Sequence, residues 1–574
     1  MMIPRSLVVA LGATLALTPS LAVAQSSSAS SLAPPARFED PDRLAKLSTA
    51  FPQIDTLMRG FAERGRVPGM AYGIIVDGRI AHLGTAGYRE VASRSPVDSA
   101  TVFRIASMTK SFTALAILQL RDQGKLALDD PAERYVPELA GLRYPTADSP
   151  RITVRHLLTH SAGFPEDNPW GDQQLAATDA EMAAMMRGGI PFSTAPGTQY
   201  EYSNFGFAIL GRIVANVSGM PYPRYVTERV LRPLGMNVTE LQAAAVAPHR
   251  LAHGYRVQDG EWLEEPQLPD GAFGSMGGML TSIGDLGRWV GFMLDAWPPR
   301  DGAETGPARR ASVREMQQVA RFSGATAVRD SATGALALNA GGYGYGLRVG
   351  QTCLFPSSVS HTGGLPGFGS LMRWLPDYGV GIVALGNRTY TGWTGVSEQA
   401  LQLLSRTGGL VPRVPQPAPV LVERQAQVTR LVSRWNDALA DSVAAMNLYL
   451  DESKDRRRAA IQRLVLEAGG DCRTEGALVA ENALRGRWRM RCGKGDLRVA
   501  ITLAPTEPAT VQALQVTPMT REESLAPAMS VQVVVPQERG RRPRECRDRS
   551  PSRPFDPCPP AAAAGTNGNA HHET

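Results

Sequence analysis

Ser107 and Lys110 stand three residues apart in Phe103-Arg-Ile-Ala-Ser-Met-Thr-Lys-Ser-Phe-Thr113, where a short extended segment meets a strongly apolar run. A helix beginning at or near Ser107 places Lys110 on the same face, one turn along. A serine hydroxyl is a weak nucleophile until a neighbouring base removes its proton, and an amine held at that spacing could serve as the base. The chain has only five lysines. Even so, Ser-x-x-Lys is a short pattern that chance supplies, and its company must decide its meaning.

Two further groups are candidates. Tyr202-Ser203-Asn204 follows the turn-like Ala195-Pro-Gly-Thr198 and directly precedes an apolar helical pattern. A loop there could present a phenol for proton exchange and an amide for orienting Lys110 and substrate. The same tripeptide equally reads as a helix start capped by Ser203 or Asn204. His361-Thr362-Gly363-Gly364 lies just ahead of two strand-like runs. Its glycines would let a substrate approach an exposed strand edge whose backbone N–H groups could hold an oxyanion, or they form a turn carrying a surface histidine.

Taken in order, Ser107-x-x-Lys110, Tyr202-x-Asn204 and His361-Thr-Gly resemble the penicillin-recognising serine hydrolases, which include class C beta-lactamases, serine DD-carboxypeptidases, D-aminopeptidases and related esterases. The flanking phrases Ile152-Thr-Val-Arg-His-Leu-Leu-Thr-His-Ser-Ala-Gly163, Tyr200-Glu-Tyr-Ser-Asn-Phe-Gly206 and Gly277-Gly-Met-Leu-Thr-Ser-Ile-Gly-Asp-Leu286 extend the likeness over about residues 45–405. The resemblance implies an acyl-enzyme mechanism without a cofactor. Ser107 would be the nucleophile, Lys110 a neutral base or proton relay, and Tyr202 the partner that protonates the leaving group. Asn204, His361, Thr362 and Gly363 would bind substrate, and the N–H groups of Ser107 and Gly364 would form the oxyanion hole.

One departure matters. Class C beta-lactamases carry lysine where this chain has His361, and a mostly neutral histidine is a poorer permanent counter-ion for a beta-lactam carboxylate. The resemblance therefore implies first a DD-carboxypeptidase-like or D-amino-acid peptidase-like hydrolase. A broad-specificity esterase comes next, then a beta-lactamase, and from another class a catalytically quiet penicillin-binding sensor. The expected partners are small peptide, ester or beta-lactam-like substrates. Gly-x-Ser-x-Gly and His-Glu-x-x-His are both absent, which sets aside the Ser-His-Asp esterase elbow and the zincin motif. His156 and His160 have i, i+4 spacing but no evident third ligand, and the resemblance makes His160 a structural hydrogen-bonder. Asp285 reads as a helix-proximal charge and Asp377 as a turn residue.

The elements that must position these groups can be read around them. Leu44–Arg64 reads as a first helix, and residues 69–88 as a hairpin turning at Asp77-Gly78. The helix after Ser107 should stop at Gly124. Ile152–Ser161 reads as a helix with a polar end, and Phe205–Val217 as an apolar one. Residues 369–375 and 379–385 read as antiparallel strands around the turn Pro376-Asp-Tyr-Gly379. Strands at both ends of a helical middle predict an α+β domain whose sheet joins its two ends. With the resemblance, the expected fold is a beta-lactamase/transpeptidase-like domain followed by a smaller α+β domain.

At 574 residues and 43% hydrophobic, the chain is long enough for two domains and tails. Its formal charge of +6 is spread along the chain and comes almost wholly from arginine. No nucleic-acid-binding motif accompanies it. Residues 1–24 read as a signal peptide cleaved after Ala22-Val-Ala24, predicting export to a periplasm or medium, with no transmembrane segment after cleavage. Residues 25–40 read as a flexible leader, 41–407 as the hydrolase domain, 408–420 as a Pro-rich linker and 421–535 as an accessory α+β domain. Residues 536–574 read as a disordered basic and Ala-rich tail, whose Arg539–Arg549 run is a solvated stretch. In an oxidising compartment Cys472 and Cys492 could form one local disulfide, and Cys546 and Cys558 another. Cys353 is left over and is expected to be a buried thiol.

Overall fold

The computed structural model of the protein describes residues 32–329 and 336–525. The expected signal peptide, residues 25–31 of the leader, the C-terminal tail and the Cys546/Cys558 pair lie outside these residues. The chain divides into two compact units, residues 35–416 and residues 417–525.

The first unit is organised by a nine-stranded antiparallel sheet. Its strands are β1 (Gly69–Val76), β2 (Arg79–Glu90), β3 (Ser95–Pro96), β4 (Arg321–Arg329), β5 (Leu336–Tyr343), β6 (Arg348–Thr352), β7 (Ser358–Leu365), β8 (Phe368–Leu375) and β9 (Val380–Gly386). They lie in the order β3-β2-β1-β9-β8-β7-β6-β5-β4. β1 pairs with β9 in a register that sets Met70 opposite Gly386 and Val76 opposite Val380. The sheet thus joins the two ends of the domain. The 69–90 hairpin turns at Asp77 and Gly78, whose φ angles of 50° and 80° suit a tight hairpin turn.

Period-two alternation decides what each face buries. In β1 and β9, Ala71, Ile75, Val383 and Leu385 join one core, while Met70, Tyr72, Ile74, Ile382 and Ala384 join the other. The second core is closed by the helices Phe51–Arg64 and Thr394–Ser405. The first is closed by Ile283–Asp295 and the helical part of the unit, with Phe112 stacked on Trp289 at 3.7 Å between ring centroids. The helix Thr109–Asp122 lies at the centre of that core and is buried on every side from Thr109 to Leu120. An all-round apolar environment of this kind is what its sequence of Phe, Ala, Leu and Ile demands.

Three sequence expectations need correction. The first helix is two, Arg43–Ser48 and Phe51–Arg64, because Pro52 cannot donate a hydrogen bond within a continuous helix. The Pro-rich stretch read as a linker belongs to the first unit as far as Gln416. Arg37 and Val414 exchange backbone hydrogen bonds of 3.2 and 2.8 Å, and the Arg413 N–H donates to the Asp377 carbonyl at 2.9 Å. From Pro419 the chain is already helical. Cys353 is exposed rather than buried, because it sits in a turn after β6 that is held by the Thr352 hydroxyl accepting from Leu354 and Phe355.

In the second unit a four-stranded antiparallel meander (Arg473–Asn482, Arg485–Arg491, Asp496–Leu503, Val511–Pro518) packs with the helices Pro419–Ser433, Asp437–Val443 and Lys454–Glu467. Leu431, Trp488, Val499 and Ile501 are in its core. Cys472 and Cys492 are disulfide-bonded across the first hairpin.

Candidate active site

The short strand Val102–Arg104 delivers the chain to Ser107. Arg104 is buried and fixed there, donating to the Asp270 carboxylate at 3.1 Å and to the Leu268 and Gly278 carbonyls. Ala106 then takes a left-handed φ of 49°, a conformation that costs a non-glycine residue energy and occurs where surrounding structure enforces it. A 3₁₀ turn over Ala106–Met108 leads into the helix from Thr109. Ser107 therefore sits at a helix N-terminus, where the first amides have no intrahelical acceptor and the local field favours negative charge.

Lys110 is fully buried, and its Nζ donates to three atoms: Ser107 Oγ at 2.9 Å, Asn204 Oδ1 at 2.7 Å and the Met276 carbonyl at 2.8 Å. Burial pulls its pKa down to about 7, against the attraction of Asp172 and Asp167. Asn204 Oδ1 and the Met276 carbonyl can only accept. A neutral amine has two N–H bonds, which those two oxygens take. Its lone pair is then left facing Ser107, whose hydroxyl becomes the donor.

Tyr202 completes the group. Its phenol is close enough to Ser107 to be influenced by that hydroxyl, and its ring lies 4.9 Å from Lys110 Nζ. Burial raises the phenol well above its ordinary pKa, so it stays protonated and can pass a proton on. His160 packs its ring at 4.2 Å from that of Tyr202, and its Nδ1 accepts from the Ser203 N–H at 3.0 Å. It is thus a structural residue. His156 caps its own helix with Thr153.

Asn204 heads the helix Asn204–Ser218, with Ser203 as N-cap accepting from Gly206 at 3.1 Å. The tripeptide is thus a capped helix start whose amide also meets Lys110. The Asn204 Nδ2 donates to Asn168 Oδ1 at 3.1 Å, so both ends of this amide position other protein groups.

His361-Thr-Gly-Gly is part of strand β7, not a turn ahead of the paired strands: Thr362 stands opposite Leu371 and Gly364 opposite Gly369. The pairing of β6 with β7 covers only Ser358–Ser360, leaving the β6-side edge of residues 361–365 outside that ladder. Gly363 is required by space, since a Cβ there would lie 2.1 Å from the Ile105 carbonyl oxygen. His361 is buried and neutral. Its Nδ1–H donates to the Thr362 carbonyl at 2.6 Å and its Nε2 accepts from Tyr343 OH at 2.9 Å, with burial and then Lys110 pushing its pKa well below the ordinary value. The lasting cation nearby is Arg348, opposite Ser360 on β6, exposed and 5.9 Å from the Tyr202 ring centroid.

Sequence reasoning missed Arg348 and also Asp167, Asn168, Asp172 and Tyr390. Asp167 accepts from the Asn204 and Phe205 N–H groups at 2.6 and 2.8 Å. Asp172 is buried and accepts from Tyr390 OH at 2.9 Å. The Pro165-Glu-Asp-Asn-Pro-Trp-Gly-Asp172 stretch offered a signal, a dense acidic loop between two helical patterns. Nothing local tied it to Lys110.

The sheet, the helical layer and the Ser107–Lys110–Tyr202 cluster together define a beta-lactamase/transpeptidase-like fold. The chain belongs to the beta-lactamase family, whose model, described as Beta-lactamase, matches residues 54–406. It is 31% identical to Protein flp of Staphylococcus aureus (strain COL) over 256 residues, which are 43% of this chain and 49% of that protein. The chain thus spans about half the length of these curated relatives. It is 26% identical to a beta-lactamase of Escherichia coli (strain K12) over 340 residues, covering 57% of this chain and 86% of that one. Among solved structures, the octameric penicillin-binding protein homologue from Pyrococcus abyssi superposes with a TM-score of 0.52 at 23% identity, over 82% of this chain and 94% of that chain, a likeness of fold.

Proposed function

We propose that this protein is an exported serine hydrolase that forms an acyl-enzyme on Ser107 and acts, in the manner of a DD-carboxypeptidase or D-amino-acid peptidase, on short substrates with a free carboxylate. The observation that carries the reading is the placement of Lys110: two oxygens that only accept hold its amine so that the third direction meets Ser107 Oγ.

In this reading the neutral Lys110 takes the Ser107 proton as Oγ attacks the substrate carbonyl. The oxyanion is held by the N–H groups of Ser107 and Gly364. Tyr202 relays the proton to the leaving amine or alkoxide, whose bond to the acyl carbon breaks. Water then attacks the acyl-enzyme by the same relay and frees Ser107. Arg348 and the Thr362 hydroxyl seat the carboxylate of the leaving group. A permanent guanidinium supplies the charge that a neutral His361 lacks, and this favours a carboxylate-bearing substrate over a plain ester.

The test is to incubate the purified protein and its Ser107→Ala variant with a fluorescent penicillin, a nitrophenyl ester and a D-Ala-D-Ala peptide, following acylation by intact mass. Ser107-dependent release of D-Ala is the expected result. Ester turnover alone would point to the esterase reading, and rapid penicillin hydrolysis to a beta-lactamase. No adduct or turnover with any of the three would leave a binding protein. Export is tested separately, by the N-terminal sequence of protein recovered from the periplasm or medium, which should begin at Gln25.

A further inference from the structure

Resting on that reading, we infer that Asp172, walled by Tyr390, is the specificity determinant for the acyl half of the substrate and selects acyl groups carrying a free ammonium, as in a D-aminoacyl peptide, over N-acylated ones.

Tyr390 lies where the chain leaves the sheet after β9. Its φ of 49° is left-handed, a strained state for an aromatic residue. Its ring covers Gly364 so closely that a Cβ on that glycine would meet the ring at 2.5 Å. From there its hydroxyl reaches the buried Asp172 at 2.9 Å. Asp172 follows Gly171, which in turn packs on Asn204 so tightly that a Cβ would lie 2.7 Å from the Asn204 side chain. The carboxylate is therefore tied on one side to the oxyanion-side strand and on the other to the residue that holds Lys110.

The two ends of the β7 edge are oppositely charged. Arg348 stands at Ser360, and the Tyr390–Asp172 pair stands at Gly364. Between those residues the strand advances roughly 13 Å, at about 3.3 Å per residue. A zwitterionic peptide laid along this edge, with its carboxylate at Arg348, carries its ammonium toward Asp172. The charge balance of the site points the same way. Asp172 is drawn to the Lys110 ammonium, and Lys110 must lose that charge to act as base. A buried carboxylate left without a counter-ion is costly, and a substrate ammonium restores the partner at the moment Lys110 becomes neutral.

The experiment compares kcat/KM for D-alanyl-p-nitroanilide and N-acetyl-D-alanyl-p-nitroanilide on the full chain, its Asp172→Asn variant and its Tyr390→Phe variant. Using the ratio between the two substrates cancels any change in Lys110 that both feel. The wild type should favour the free amine by roughly 10- to 100-fold, the range of one charge-assisted hydrogen bond. Asp172→Asn should lose that preference, chiefly through KM, and Tyr390→Phe should keep it. A wild type that favours the N-acetyl substrate, or a preference that survives Asp172→Asn, overturns the inference. Labelling of Ser107 by fluorescent penicillin separates the two failures: with labelling intact only the ammonium selection falls, whereas loss of labelling and of all Ser107-dependent turnover removes the hydrolase reading as well.

Discussion

Asn204 Oδ1 lies 2.7 Å from Lys110 Nζ, closer than the 2.9 Å from that nitrogen to Ser107 Oγ. The amide therefore sets where the amine points. Replacing Asn204 with Asp puts a carboxylate in the same place, which stabilises the ammonium and raises its pKa. The proposed mechanism needs the neutral amine, so the acid limb of the kcat/KM profile should move to higher pH, by about 1 to 3 units. An unmoved limb would show that Lys110 is not the group titrating.

In the wild type that limb should fall near pH 7, where burial places the Lys110 pKa. Asp172 favours the charged amine, so Asp172→Asn removes a stabiliser of the ammonium and should shift the limb to lower pH. Initial rates on an uncharged ester between pH 5 and 9 would read both shifts.

The same burial makes a prediction for stability. The folded-state pKa of Lys110 lies below its unfolded value of 10.5, so between them the unfolded chain binds more protons and stability rises with pH. Compared with a Lys110→Met variant, the wild type should gain as pH is raised from about 7 to about 10, by at most about 1.4 kcal/mol per unit. Urea unfolding of both proteins at a series of pH values checks the slope. Acylation of Ser107 in the Met variant should also fall by about 10²- to 10⁴-fold, the usual contribution of a general base.

Gly363→Ala would drive a methyl group to 2.1 Å from the Ile105 carbonyl and 2.3 Å from Ser370 Oγ. The strand must then withdraw from the segment that carries Ser107, at about 1 to 3 kcal/mol. On the proposed mechanism the penicillin acylation rate should drop further than the thermal midpoint does, because the proposed oxyanion hole would be lost before the fold.

The Cys472–Cys492 bond closes a loop with a sequence separation of 20. Cys472→Ser with Cys492→Ser should destabilise residues 417–525 by about 3 kcal/mol on the chain-entropy account. Calorimetry with and without reductant measures it. An unchanged transition would mean that the bond carries no stability.

Much of this site was legible in the sequence, and the reason is local. Ser107 and Lys110 are joined by one helical turn, and Tyr202 and Asn204 by one helix start, so spacing alone relates them. The 69–90 hairpin and the β8–β9 pair announced themselves through turn residues and apolar runs. Arg348, Asp172 and Tyr390 did not, because each reaches the cluster only through tertiary contacts: a sheet register, a packed glycine, a phenol spanning two loops. At His361 the sequence left a strand edge and a glycine-rich turn both open, and the facing residues Leu371 and Gly369 decide for the strand. The exposure of Cys353 depends on a three-residue turn held by one threonine, below the reach of any hydrophobic pattern.

The pairing of Met70 with Gly386 has a consequence in time. A ribosome adds about 5 to 20 residues per second, so β1 and β2 wait on the order of tens of seconds before β9 exists. Through that interval the apolar β1 presents an open edge and two uncovered faces. The birth of this protein therefore includes a long exposure of a strand that is later buried along its whole length, and a chaperone that shields an early hairpin would act on the segment 69–90.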